Sequence, residues 1–185
     1  MKNVLAIAAS NKKVSINKIL LLYAAKKLKH VTVNLLSLSE IELPVYNEET
    51  EKQTGIPAAV ETIYDRFSEA DAFILACPEH NGLPPAGFKN LYDWLSRINP
   101  QVFQQKPVLL LSTSSGMNGG AANLQLLKGL LPRWGGEPAG MFSLGDFYEN
   151  FNCTDIKIKD PLLELQLTEQ VQSFEAGLLQ DLQIA

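Results

Sequence analysis

The chain has 185 residues, 46% of them apolar, and a formal net charge of −4. That size can bury one substantial core, and no low-complexity linker interrupts residues 1–185, so a single domain is expected. The acidic balance argues against a nucleic-acid binder, whose footprint is usually basic. Only two cysteines occur, Cys77 and Cys153, with no Cys-x-x-Cys. That excludes a disulfide scaffold and points to a reducing, cytoplasmic setting. The first apolar run, residues 4–9, is too short for a signal-peptide core, and nothing approaches membrane-spanning length, so no membrane partner is expected.

Residues 4–8, Val-Leu-Ala-Ile-Ala, form a short apolar run that reads as a strand buried on both faces. The loop that follows carries Ser10, Lys12, Lys13, Ser15 and Asn17. Hydroxyls, an amide, lysines and a helix start together suit a phosphate, with lysine acting as a point charge. Residues 1–30 hold seven lysines and no Asp or Glu, which strengthens an anion site in an otherwise acidic chain. Ser15 also suits an ordinary N-cap, and the lysines a solvated face. Helical spacing of Ile16, Ile19, Leu20, Tyr23, Ala24 and Leu28 predicts a helix over 15–28. Residues 31–36 read as a second strand, 58–67 as a second helix and 72–76 as a third strand.

The third strand empties into Cys77-Pro78-Glu79-His80-Asn81-Gly82-Leu83-Pro84-Pro85, and an amphipathic helix is expected from about Pro84. A polar turn between strand and helix, with backbone N–H groups to spare, is a common way for an α/β sheet to build a ligand site. Residues 108–111 make a fourth strand and lead into Ser112-Thr113-Ser114-Ser115-Gly116-Met117-Asn118-Gly119-Gly120. Its glycines would let the backbone approach a flat ligand, or simply make a flexible connection into a helix near Gly120. A weaker fifth strand is expected over 139–144 and a last helix over 165–182. Alternating strands and helices imply parallel units with right-handed crossovers. Five strands suit a flavodoxin-like α/β fold, a parallel sheet in order 2-1-3-4-5 with helices on both faces. The loops after strands one, three and four then meet at one edge.

The turn Pro78-Glu79-His80-Asn81-Gly82, with Lys89-Asn90 and Asp93-Trp94 on the next helix, resembles the central motif of the NADPH-dependent FMN reductases. Ser10, Ser15 and Asn17 resemble that family's phosphate loop, with Lys12 where arginine is common and Ala9 where glycine is. Residues 112–120 resemble the loop beside the flavin ring, and residues 43–48 the linker after strand two. The resemblance implies FMN as cofactor and NADPH or NADH as co-substrate. Hydride would pass to the flavin and on to a small acceptor such as a free flavin, quinone, azo compound or metal oxyanion. It assigns Ser10, Lys12, Ser15 and Asn17 to the phosphate, backbone groups of Pro78, Glu79, His80, Asn81 and Gly82 to the ring edge, and Ser114, Ser115 and Gly116 to its flank. It also implies a homodimer or homotetramer. The flavin carries the chemistry, so no protein catalytic group and no metal are expected.

His80 and Leu83 stand where the family usually has tyrosine and serine. His80 is either a structural replacement or a group that tunes the flavin. No P-loop, no Gly-x-Gly-x-x-Gly and no Gly-x-Ser-x-Gly elbow is present, which argues against a P-loop nucleotidase, a dinucleotide-binding Rossmann domain and a serine hydrolase. Cys77 reads as a small core hydrophobe, His30 as a solvated residue near the end of the first helix, and Tyr92 and Trp94 as core or interface. A non-enzymatic electron carrier and a flavin-less binding module are the other readings.

Overall fold

The computed structural model describes residues 1–180. Five parallel strands are ordered β2-β1-β3-β4-β5: β1 Lys2–Ala8, β2 Val31–Ser37, β3 Ala72–Ala76, β4 Lys106–Thr113 and β5 Gly136–Leu144. Around them run α1 Ile16–Ala25, α2 Glu48–Thr54, α3 Ala58–Glu69, α4 Ala86–Ile98, α5 Ala121–Leu130, α6 Phe147–Asn150 and α7 Pro161–Gln180. A two-stranded hairpin, β6 Phe151–Asn152 with β7 Lys157–Ile158, precedes α7. This is the expected flavodoxin-like order. Residues 181 and 182 of the expected last helix lie outside the described residues.

Strand residues alternate between two apolar clusters, as period-2 side chains must. Leu5, Ile7, Phe73, Leu75, Val108 and Leu110 face α3, α4 and α5, where Phe67, Phe88, Trp94 and Leu127 pack on them. Val4, Ala6, Ala8, Ala72, Ile74 and Ala76 face α1 and α7, against Leu20, Leu21, Ala24, Val171 and Phe174. Four alanines on that second face leave room for α1 to lie close over β1 and β3. Trp94 is fully buried, so it belongs to the core, and its indole N–H donates to Pro44 O at 2.8 Å. This fastens the linker after β2 onto α4.

Some expectations shift. The first helix ends at Ala25, before His30, whose backbone N–H and that of Lys29 instead donate to Glu175 Oε1 at 2.7 Å. The fifth strand begins at Gly136 rather than 139. Pro138 lacks an N–H, but β5 is an edge strand, and its register with β4 slips between Val108 and Leu110. Helix α2, α6 and the hairpin had no counterpart in the sequence reading. Asn47 caps α2 by accepting from Thr50 N at 2.8 Å, and three glutamates occupy the first turn, which favours a helix with no buried face. Among the described residues, no helix is long and apolar enough to cross a membrane.

Candidate functional site

All five parallel strands deliver their following loops to one edge, and the loops after β1, β3 and β4 border a common cleft of about 270 Å³. Ser10, Lys12, Ser15 and Asn17 line one side, Pro78, Glu79 and His80 another, and Ser114 and Ser115 a third. Asn81, Gly82 and Gly116 lie on the same loops but are not among the residues that line it. A larger apolar hollow of about 460 Å³ lies between α1 and the edge strand β2, bordered by Ile19, Leu22, Val33, Leu35 and Ile156. It holds few of the donors an anion needs, so size alone does not mark the site.

The loop after β1 keeps most of its donors unspent, although Lys12 N donates to Ser10 Oγ at 3.2 Å. Ser15 has extended backbone angles and caps α1, accepting from Lys18 N at 3.4 Å, which leaves its hydroxyl hydrogen available. No acidic residue occupies the first turn of α1, and the N–H groups of Ile16 and Asn17 have no hydrogen-bond partner among the described residues. Such a helix start draws negative charge. The lysines of the basic N-terminal segment divide into two sets. Lys2 pairs with Asp71, Lys18 with Glu40 and Lys27 with Glu164. Lys12 has no carboxylate partner among the described residues, and it borders the cleft. Asn17 differs from the expectation. Its amide both donates to Thr113 O at 2.8 Å and accepts from Thr113 N at 3.0 Å, lashing α1 to the end of β4. Only its second amide hydrogen remains for a ligand.

The turn after β3 is braced by one pair of its own backbone bonds. His80 and Leu83 exchange backbone hydrogen bonds of 2.8 and 3.1 Å around Asn81 and Gly82, whose φ values are 55° and 81°. Two successive positive φ angles fit the two-residue hairpin turn for which Asn-Gly is favoured. His80 N–H is therefore unavailable to a ligand, contrary to the expectation that the whole turn is free. The N–H groups of Glu79, Asn81 and Gly82 carry no such bond among the described residues. The Glu79 carboxylate turns to α5 and accepts from Asn123 N at 3.0 Å. The His80 side chain is exposed at the cleft. Cys77 is fully buried, and burial pushes its thiol up to about 12, so it stays protonated and inert.

Glycines of the loop after β4 serve packing more than ligand approach. A Cβ on Gly119 would press on Gly145 N and Leu144 C at 2.7 Å, and one on Gly120 would strike Ser112 Oγ. A Cβ on Gly116 would make only an ordinary contact with Ser114 Oγ at 3.9 Å. Ser114 is occupied locally, donating to Gly116 O at 2.9 Å. Tyr148, absent from the sequence reading, also borders the cleft. It is 66% exposed and stands at the start of α6, where Phe147 N donates to Ser114 O at 3.0 Å. The parallel topology held the signal, because the loop after β5 must reach the same edge.

Comparisons with known proteins point to one family. The first 80-residue match is 39% identical to the quinone reductase of Escherichia coli (strain K12) and covers 43% of each chain, so it spans less than half the length of that relative. The NADH:(hydroxy)cinnamate reductase subunit CrdA of Vibrio ruber is 32% identical over 155 residues, 81% of this chain and 74% of that one. Among solved structures, the flavoenzyme NAD(P)H:(acceptor) oxidoreductase FerB of Paracoccus denitrificans superposes with a TM-score of 0.78 at 26% identity, covering 97% of this chain and 98% of its own. A family model described as NADPH-dependent FMN reductase matches residues 2–151, which contain every loop that borders the cleft. The chain belongs to the NADPH-dependent FMN reductase family.

Proposed function

We propose that this protein binds FMN in the cleft and works as an NAD(P)H-dependent oxidoreductase that reduces a small-molecule acceptor. The observation that carries the reading is the set of unspent donors after β1. Lys12 without a carboxylate partner, the Ser10 and Ser15 hydroxyls and the first N–H groups of α1 converge where a phosphate would need them. When bound, FMN would supply the hydride acceptor and donor, so the protein's part is to hold and orient it. Pro78, the free N–H groups of Glu79, Asn81 and Gly82, and the Ser115 and Gly116 backbone would border the ring. The His80–Leu83 exchange keeps that turn rigid. Two unpaired thiols, Cys77 and Cys153, suit work in a reducing cytoplasm, and family membership suggests a homodimer or homotetramer.

The test is spectroscopic. Purified protein titrated with FMN should perturb the flavin's visible absorbance and quench its fluorescence, with riboflavin bound more weakly. Under anaerobic conditions NADPH or NADH should then bleach the visible band. Equal affinity for FMN and riboflavin would sink the phosphate assignment. A bound flavin that stays oxidised with both nicotinamides would favour an electron carrier.

A further inference from the structure

The seam between the turn after β3 and helix α5 carries an unusual cost. Among the described residues, two buried side-chain polar atoms lack a hydrogen-bond partner, Asn123 Oδ1 and Ser112 Oγ, and both lie at this seam. Ser112 lies against Gly120, one helical turn before Asn123, and both side chains are completely buried. An unpaired buried polar atom is normally selected against, and a leucine at position 123 would avoid it. What the amide gains in exchange is specific. Asn123 Nδ2 donates to Pro78 O at 3.1 Å and lies 3.3 Å from Cys77 O, the two carbonyls through which β3 passes into the turn. Rotating the amide by half a turn would set Oδ1 against those oxygens, so its sense is fixed by their lone pairs.

Glu79 completes the arrangement from the other side. Gly120 at the N-cap of α5 has no side chain to cap the helix, and the first turn holds no acidic residue. The Glu79 carboxylate, 44 residues away in sequence, accepts the Asn123 backbone N–H at 3.0 Å and supplies negative charge at that helix start. The turn therefore caps the helix while the helix holds the turn. We propose that Asn123 is a positioning residue for the flavin-bordering turn, a clasp that fixes Pro78 and Glu79 relative to the loop after β4. The proposal rests on the flavin reading for its functional consequence and on geometry alone for the clasp.

The experiment separates the two. Hydrogen–deuterium exchange of protein without flavin should show the His80 and Leu83 amides exchanging about ten-fold faster in Asn123→Ala, through the lost hydrogen bonds. Asn123→Thr, which fills the space but cannot span both carbonyls, should behave alike and covers the case of an alanine variant that fails to fold. In flavin-loaded protein both variants should weaken FMN and riboflavin by the same factor, about ten-fold, because the loop after β1 is untouched. They should also shift the midpoint potential of bound flavin, which a purely structural role would leave in place. Unchanged exchange at His80 and Leu83 overturns the clasp. Faster exchange with unchanged potential and affinity overturns the positioning role. A parent protein that takes up no FMN overturns the flavin reading itself, and exchange alone then decides the clasp.

Discussion

The loop after β1 and the turn after β3 border the same cleft and are built on opposite terms. The first leaves a lysine without a carboxylate partner, two hydroxyls that accept internally but keep their hydrogens to donate, and helix-start N–H groups without partners among the described residues. The second is braced, closed through the His80–Leu83 pair and tied to α5 by Glu79 and Asn123, even though the N–H groups of Glu79, Asn81 and Gly82 stay unbonded among the described residues. A region that retains unmet donors is suited to capture a charged group. A region braced from within and from a neighbouring helix is suited to present a shape. Substitutions in the two should therefore fail in different ways, the first through affinity for charge and the second through geometry.

Lys12→Glu should give the largest effect, about a 100-fold loss of FMN affinity with a much smaller change for riboflavin, since it removes a charge-assisted contact and adds repulsion. Parallel fluorescence titrations of the two flavins read this directly, and an equal loss for both would erase the distinction between the loops. Asn17→Ala tests the one residue of the first loop that is already engaged. It strips both partners from the buried Thr113 backbone, so the flavin-free protein should melt roughly 3–10 °C lower. Calorimetry showing an unchanged midpoint would mean that the lashing of α1 to β4 is of no energetic consequence.

Asn81→Ala places an ordinary side chain at a φ of 55° and should cost about 1 kcal/mol in the turn, with FMN and riboflavin weakened alike, roughly fivefold. Selective weakening of FMN would assign Asn81 to the phosphate instead. The smallest shift is expected for His80→Asp, whose exposed carboxylate opposes the charge that accumulates on flavin reduction. A fall in midpoint potential of roughly 20 mV would follow from about 1 kcal/mol of repulsion, while His80→Tyr should leave binding intact. A potential unaltered in the Asp variant places the imidazole away from the ring.

These contrasts were only partly legible in the sequence. The apolar runs of β1, β3 and β4 stand out because strands buried on both faces are unbroken by polar residues, whereas the edge strand β2 carries Thr32 and Asn34 and is only partly buried, and Asn81-Gly82 announces a tight turn through its chemistry. Helix α2 escaped because it buries no residue and so has no apolar period to detect. Helix α6 and the β6–β7 hairpin are too short to establish any period, and Tyr148 was missed with them. The expected duties of Asn17, His80 and the paired glycines were read as binding. Sequence reveals that a donor or a small residue is present but not whether a neighbour has already claimed it. Thr113 claims Asn17, Leu83 claims the His80 backbone, and the space beside Gly119 and Gly120 is taken by residues 143–145 and by Ser112, each from a segment remote in sequence or on the far side of a turn.

The division of the N-terminal lysines also bears on how fast a ligand arrives. Three are neutralised by carboxylates drawn from elsewhere in the chain, whereas Lys12, which borders the cleft, has no carboxylate partner among the described residues, in a protein that is negative overall. A lysine charge so placed acts on a dianion before contact, and the attraction fades once the separation exceeds about 8 Å at physiological ionic strength. Encounter with a phosphorylated flavin should slow as salt is added, whereas encounter with its uncharged counterpart should proceed at nearly the same pace. Lys12 would then select its ligand during the approach as well as in the final complex.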